Sequence, residues 1–383
     1  MNDPAEPLRR RLAGTLADDD WSRDARWRAA VEVEPRELFL GAALFQQKGL
    51  PESTAWTAVR RDDVPAEDWL ALAYRNETWV TQVDGVLAEY ATGPVEGSPT
   101  SSSTLPGLVV QMIERAGAKP GDRVLEVGTG TGYSTALLCN VLGDRNVTSI
   151  EVDQDAAERA RKALDEAGHS PTLVTGDGLL GAPDGAPYDR LIAACSVRFV
   201  PYTWLRQVKP GGTILVTLAG WSFGHGLVRL TVDDEGGASG RFLPGYTSFM
   251  IARPHDHPPR GRLEFMPGEQ RPSRIDPTLL DDWTGRFVGQ LAAPSAERFG
   301  TGAEQIYLDV ATGSQARTRP SAGGGWSVEQ RGPLKLWDAI EDAVEVWTAA
   351  GAPHVESFGL TITHEGQHVW LGTPDGPSWR LPL

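Results

Sequence analysis

Three acidic side chains stand where apolar runs give way to loops, and their spacing suits a nucleoside. Glu126 lies two residues before Gly128, and Gly128, Gly130 and Gly132 alternate with Thr129 and Thr131 ahead of Tyr133. Glycines there let the backbone take conformations that a side chain forbids and come close to a ligand. Glu151 ends the next apolar run, with Val152 beside it, and is placed to accept hydrogen bonds from ribose hydroxyls. Asp177 and Gly178 close the following run, where a carboxylate can hydrogen-bond an adenine amino group. A GxGxG loop differs from the GxGxxG of dinucleotide sites, and a carboxylate ahead of its first glycine suits an ammonium group better than a pyrophosphate. The set points to S-adenosylmethionine rather than NAD. Each acid alone also has a plainer reading as a helix cap; the constellation favours the cofactor.

Such a site needs a parallel sheet to carry it. Apolar runs at 123–127, 147–151, 173–175, 191–194 and 213–218 alternate with helical patterns, the signature of an α/β sheet. Leu105, Leu108, Val109, Met112 and Ala116 recur at helical spacing before a stop at Gly117. Ala156, Ala160, Leu164 and Ala167 do the same before Gly168. Pro210-Gly211-Gly212 predicts a turn before the fifth strand, and 227–232 with 242–251 predicts an antiparallel hairpin that finishes the sheet. The Pro/Arg-rich stretch 253–277 has the composition of a linker. Beyond it, Leu336, Ile340, Val344 and Trp347 share a helix face, while Phe358, Leu360 and Ile362 alternate as a strand that turns at Glu365-Gly366.

The 383 residues carry a net charge of −15, and 40 % are hydrophobic, enough to build cores. The acidic balance disfavours nucleic acid and anionic membranes as partners. No apolar run is long enough to span a bilayer, and residues 1–20 lack a secretory core, so the expected location is the cytoplasm. Cys139 and Cys195, the two cysteines, lie far apart and suggest no disulfide framework. No metal site is expected: His255 and His257 lack partners at ligand spacing, Cys195 suits packing, and His354, His364 and His368 suit a surface.

With these residues in hand, the stretch from about 100 to 221 resembles the protein-L-isoaspartate O-methyltransferases, class I methyltransferases that esterify a carboxylate of an abnormal aspartyl residue. The resemblance rests on residues 124–133, Ser149-Ile150-Glu151, Gly176-Asp177-Gly178, Ala186-Pro187-Tyr188-Asp189 and Lys209-Pro210-Gly211-Gly212. Upstream, Glu34-Pro35-Arg36-Glu37-Leu38-Phe39-Leu40 resembles that family's VPRHLFVP segment, which extends the match over about 30–252. It implies a Rossmann-like mixed sheet, with an N-terminal mainly helical segment (1–100), an S-adenosylmethionine-binding core (101–252) and a C-terminal α+β extension (253–383) for peptide recognition.

Two departures bear on substrate. Where family members carry TISQP, with its serine over the methyl-transfer site, this chain has Ser101-Ser102-Ser103-Thr104-Leu105-Pro106. Thr104 takes the serine's place and Leu105 the glutamine's. The family's enzymes usually end soon after the sheet, whereas this chain runs on for about 130 residues. The Ser-rich loop, the segment Val80-Thr81-Gln82 and the Trp-rich tail resemble long members associated with ATP-grasp (graspetide) peptide maturation. The resemblance therefore implies esterification of an aspartate in a ribosomally made, crosslinked peptide, followed by backbone attack to give an aspartimide. Isoaspartyl repair of general proteins is the alternative, and a noncatalytic peptide-binding scaffold is a third reading.

A carboxylate is nucleophilic at neutral pH, because its ordinary pKa is about 4, so no general base is required. The expected work of the enzyme is orientation, with Thr104, Ser103 or Ser102 donating to the carboxylate's second oxygen. The plainer reading of these hydroxyls is a cap for the helix that begins at Pro106. Eleven of the thirteen tryptophans lie outside 101–252 and are read either as peptide anchors or as core. An acidic peptide would also need local basic groups, with Arg253, Arg260, Arg262, Arg271 and Arg274 as candidates.

Overall fold

A computed structural model describes residues 3–47, 55–259 and 264–382; Arg260 and Arg262 lie outside the described residues. The chain divides into two compact units. One comprises Met1–Ala194 with Arg206–Leu215, the other Cys195–Leu205 with Val216–Leu383.

In the first unit, the strands Val124–Val127, Val147–Glu151 and Thr172–Thr175 are parallel neighbours in that order. The strand Tyr188–Val197 pairs on the other side of Val124–Val127, with Leu191 opposite Leu125. Val124, Leu125, Val127, Val147, Ile150 and Leu191 are all buried, as expected of strands covered on both faces. The helices between them begin and end on sequence signals. Pro106 opens Pro106–Ala116, and Gly117 closes it at φ 72°. Asp153 caps Gln154–Ala167 by accepting from the Ala156 N–H, and Gly168 ends it at φ 88°.

The segment 1–100 departs from the mainly helical expectation. Helices Glu6–Asp18, Ala25–Val33, Arg36–Leu40 and Ala66–Ala73 are there, but strands within 43–103 also form a six-stranded sheet. Its core is Ala43, Phe45, Val83, Ala88 and Ala91, with Trp56, Ala58, Val80 and Val95 packed against it. The short strands and interrupted alternation hid this sheet. The hydroxyl-rich segment is one of its strands: Pro99–Ser103 pairs with Trp79–Val83, Ser102 opposite Val80.

In the second unit, His225–Val232 and Ala238–Phe242 form the hairpin, with Val232 opposite Ala238. Its second strand ends at Phe242, where the sequence had suggested it would begin. The reason is the turn: Asp233 Oδ1 accepts from the N–H groups of Glu235 and Gly237, so the chain reverses at once. Likewise Pro210–Gly212 lies within the strand Val208–Ala219 rather than before it, and Gly211, at φ 76°, absorbs the irregularity. The strand Phe358–Thr363 pairs with Ala238–Phe242, and Gly366–Leu371 pairs with Phe358–Thr363.

The supposed linker contributes Glu269–Pro272 to a separate five-stranded antiparallel sheet of the second unit. Helix Leu336–Ala349 follows the expected face, burying Leu336, Ile340, Val344 and Trp347. All six tryptophans of 253–383 are buried or half-buried, which favours the core reading. No helix among the described residues is long and apolar enough to cross a membrane.

Candidate functional site

The glycine loop follows strand Val124–Val127 and is fixed by its neighbour. The N–H groups of Gly128 and Thr129 both donate to the Ile150 carbonyl, at 2.8 and 3.3 Å. Gly128, Gly130 and Gly132 have φ of 95°, 55° and 91°, conformations that L side chains rarely adopt. Helix Tyr133–Leu142 starts directly behind Gly132.

The three acids stand at the ends of three neighbouring strands, as their spacing predicted, but they are held differently. Glu151 Oε2 accepts from the Gly130 N–H at 2.8 Å, and its Oε1 accepts from the Asp153 N–H at 3.1 Å. It thus couples the loop to the next strand end. Val152, beside it, is 42 % exposed, an apolar surface next to a carboxylate. Asp177 Oδ1 accepts from the Leu179 N–H and caps a short 3-10 turn, so the plainer reading applies to one of its oxygens. Gly178 lies against Val127, where a Cβ would stand 2.6 Å from the valine Cγ1.

Glu126 is buried, at 2 % exposure. Its oxygens accept from three hydroxyls, those of Ser134, Thr135 and Ser149, the last at 2.7 Å. The Thr129 hydroxyl, also buried, extends the cluster through Ser149 at 2.6 Å. Burial raises the Glu126 carboxyl above the usual range, and the three hydroxyls only partly oppose it. A carboxylate whose partners are all neutral lacks a counter-charge, the condition a cationic ligand relieves. Tyr133 is buried against Phe39, with ring centroids 5.8 Å apart, and its hydroxyl has no partner.

The hydroxyl strand runs beside the loop: a Cβ on Gly130 would stand 3.6 Å from the Ser102 carbonyl oxygen. Ser103 is 1 % exposed, and its Oγ has no partner. Thr104 is half-buried. The cap reading of these hydroxyls does not hold. The start of helix Pro106–Ala116 is served by Thr78, which accepts from the Leu105 N–H, and by Asn76, which accepts from the Gly107 N–H.

Arg36, in the segment that resembles VPRHLFVP, is the hub of this region. It is fully buried, and its guanidinium donates to the carbonyls of Ala73, Arg75, Glu77, Ser103 and Thr104. Burial pushes its pKa down to about 10, so it remains charged. Gln82, in a segment that likewise carries only a resemblance, has a second such role. It is buried, donates to Asp153 at 3.2 Å and accepts from Thr100 at 2.8 Å, which ties the hydroxyl strand to the end of the Glu151 strand.

The other candidates belong to the second unit. His255 is buried and its Nδ1 accepts from the Arg198 N–H, while His354, His364 and His368 are exposed. Arg271 and Arg274 are engaged with Asp338, Glu341, Asp342 and Glu345, so they are not open to an acidic peptide.

The strand order, the positive-φ glycine loop and the acids at successive strand ends define a class I S-adenosylmethionine-dependent methyltransferase fold. Residues 55–229 match the family model described as protein-L-isoaspartate(D-aspartate) O-methyltransferase. The chain is 31 % identical over 217 residues to the protein-L-isoaspartate O-methyltransferase of Hyperthermus butylicus, covering 54 % of this chain and 80 % of that one. It is 34 % identical over 158 residues to that of Thermotoga maritima, covering 41 % of this chain and about half, 48 %, of the relative's length. A solved structure described as a protein-L-isoaspartate O-methyltransferase superposes with a TM-score of 0.56 at 20 % identity, covering 95 % of this chain and 100 % of that one. The chain belongs to the protein-L-isoaspartate O-methyltransferase family, S-adenosylmethionine-dependent protein carboxyl O-methyltransferases. That solved chain shares the fold across nearly all of this one.

The loop fits its cofactor on the structure's own terms. The glycine backbone is bare of side chains, Glu126 lacks a counter-charge, and in the strand beside the loop Ser103 Oγ is buried without a partner.

Proposed function

We propose that this chain methylates an isoaspartyl carboxylate in a peptide or protein substrate. The observation that carries the reading is the hydroxyl strand beside the glycine loop, with Ser102 against Gly130 and the hydroxyls of 102–104 not consumed in capping. S-adenosylmethionine supplies an electrophilic methyl group on a sulfonium. Glu126 would hold its ammonium group, Glu151 with Val152 its ribose, and Asp177 its adenine amino group. Gly128, Thr129, Gly130, Gly132, Tyr133 and Gly178 shape the cradle.

The substrate carboxylate needs no base. Thr104 donates to the oxygen that does not react, Ser103 and Ser102 support it, and Arg36 fixes the backbone that presents them. The result is approach in a fixed orientation, from which most of the rate gain of such a transfer comes. The methyl ester then suffers attack by the following backbone nitrogen and loses methanol to give a succinimide. We place this chemistry in the cytoplasm.

A second reading keeps the same first step but takes an aspartate of a ribosomally made crosslinked peptide, with the aspartimide as product. It is favoured by Leu105, where the family's glutamine is replaced beside the presenting threonine. The test is methyl transfer to an isoaspartyl peptide alongside a crosslinked, aspartate-containing peptide. Transfer to the first alone supports repair, and transfer to the second alone supports maturation. Thr104→Ala is expected to lower kcat at least tenfold, and unchanged turnover would remove Thr104 from the mechanism.

A further inference from the structure

One group of metal-type side chains in the first unit takes no part in the methyl-transfer site. Cys139 lies in the last turn of helix Tyr133–Leu142, Asp144 just beyond Gly143, and His169 just beyond Gly168. The cysteine sulfur, one aspartate oxygen and one histidine nitrogen lie within 4.8 Å of one another.

The two ring nitrogens of His169 each face a carboxylate. Nε2 is 3.1 Å from Glu34 Oε1, and Nδ1 is 3.1 Å from Asp144 Oδ1. Glu34 is itself buried and accepts from Asn140 Nδ2 at 2.7 Å. Both carboxylates only accept, so a neutral ring can donate to just one of them, and the other ring nitrogen then presents a lone pair to a carboxylate oxygen. Two acceptors at that distance call for a cation, either a second ring proton or a metal ion.

A third group joins them: Cys139 Sγ reaches the same point from the helix end, hydrogen-bonded to Asp144 as a thiol, and would give up that proton to hold an ion as a thiolate. Asp144 Oδ2 is taken by the Ser170 N–H at 2.8 Å, which leaves Oδ1 for the shared centre. Sulfur, imidazole and carboxylate together match the zinc-type ions rather than calcium or magnesium, which take oxygen ligands. A carboxylate on the far nitrogen of a ligating histidine is how such sites fix the tautomer and ring orientation.

We propose that Cys139, Asp144 and His169 bind a zinc-type divalent ion, with Glu34 positioning His169 from its other ring nitrogen. The Asp144 side chain is 34 % exposed, so solvent completes the coordination. The site would fasten three connections at the margin of the nucleotide-binding sheet: the end of helix Tyr133–Leu142, the entry to strand Val147–Glu151 and the exit of helix Gln154–Ala167.

The test is a Co²⁺ titration of the full-length protein after treatment with a chelator. The expected result is one equivalent bound per chain with a thiolate-to-cobalt charge-transfer band. The band should disappear on adding Zn²⁺ and be absent from Cys139→Ser, but persist in Cys195→Ser. Glu34→Gln should weaken binding roughly 10- to 100-fold. No thiolate band in wild-type protein shown to be folded by circular dichroism would overturn the proposal, as would a band that survives Cys139→Ser. If Cys139→Ser does not fold, Asp144→Asn carries the test on a partly exposed residue. Its affinity should fall at least tenfold, and unchanged affinity would overturn the site.

Discussion

Glu126 in the first unit and Glu341 in the second are both buried glutamates, at 2 % and 0 % exposure, and their surroundings treat the charge in opposite ways. Glu341 accepts from both guanidinium groups of Arg271 and Arg274, from the Arg274 N–H at 2.8 Å and from Ser273 at 3.0 Å. Those partners hold its carboxyl below the ordinary range despite burial. Glu126 has only hydroxyl partners, and burial wins, so its carboxyl is raised. A neutralised carboxylate has nothing left to recognise and serves the fold. A carboxylate kept buried without a counter-charge is a cost to the fold that binding of a cation relieves. The contrast separates a structural unit from a chemical one more sharply than composition does.

The largest effect is expected at Arg36, which supports the chemical site without touching the reacting atoms. Arg36→Leu strands five carbonyls and should cost about 3–5 kcal/mol in denaturant unfolding, with loss of methyl transfer. Arg36→Lys should recover part of the stability and less of the activity, because one ammonium cannot reach all five carbonyls.

Glu341→Gln comes next. It should destabilise the protein by about 2–3 kcal/mol at pH 7, since it removes a shared anion from two arginines that solvent can partly reach. Its affinity for S-adenosylmethionine, measured by calorimetry, should not change. Glu126→Gln should do the reverse, weakening the cofactor at least tenfold, about 1.4 kcal/mol, while the stability of the free protein moves by less than about 1 kcal/mol or rises. If both variants lost stability alike and left cofactor affinity unchanged, the distinction between the two glutamates would fail.

The smallest effect is in the pH dependence. The ordinary value for both carboxyls is 4.5. Glu341 is depressed in the folded state, so its stabilisation is present above about pH 4.5 and is lost as pH falls through the folded value. Glu126 is raised, so its contribution is full below about pH 4.5 and is lost as pH rises through its folded value. The stability gap between wild type and Glu341→Gln should therefore close on acidification. Any gain from Glu126→Gln should be visible at neutral pH and vanish in acid.

The sequence made the parallel sheet, the glycine loop and the positions of all three acids legible, because backbone conformation and strand ends leave local marks. It did not show which way a carboxylate turns. Glu126 could be placed on its strand end, but its hydroxyl cage comes from Ser134, Thr135 and Ser149 on two other elements. Arg36 and Gln82 were hidden for the same reason, since their partners lie tens of residues away and are mostly backbone carbonyls or residues of other strands. Asp233 pulled the hairpin several residues earlier than hydrophobic alternation suggested. In the tail, tryptophan content alone did not separate peptide anchors from core. The tail folds around those rings, and its strand Phe358–Thr363 is hydrogen-bonded to Ala238–Phe242, so cutting the chain near 255 would expose a sheet edge.

The central claim is that the glycine-loop unit makes a methyl ester on a peptide carboxylate. The direct measurement is incubation of the full-length protein with an isoaspartyl peptide and methyl-labelled S-adenosylmethionine, followed by mild base. The expected result is label on the peptide that mild base releases as methanol, with a much lower yield from Thr104→Ala. Label that resists base, or no transfer by a protein that binds the cofactor, would contradict it.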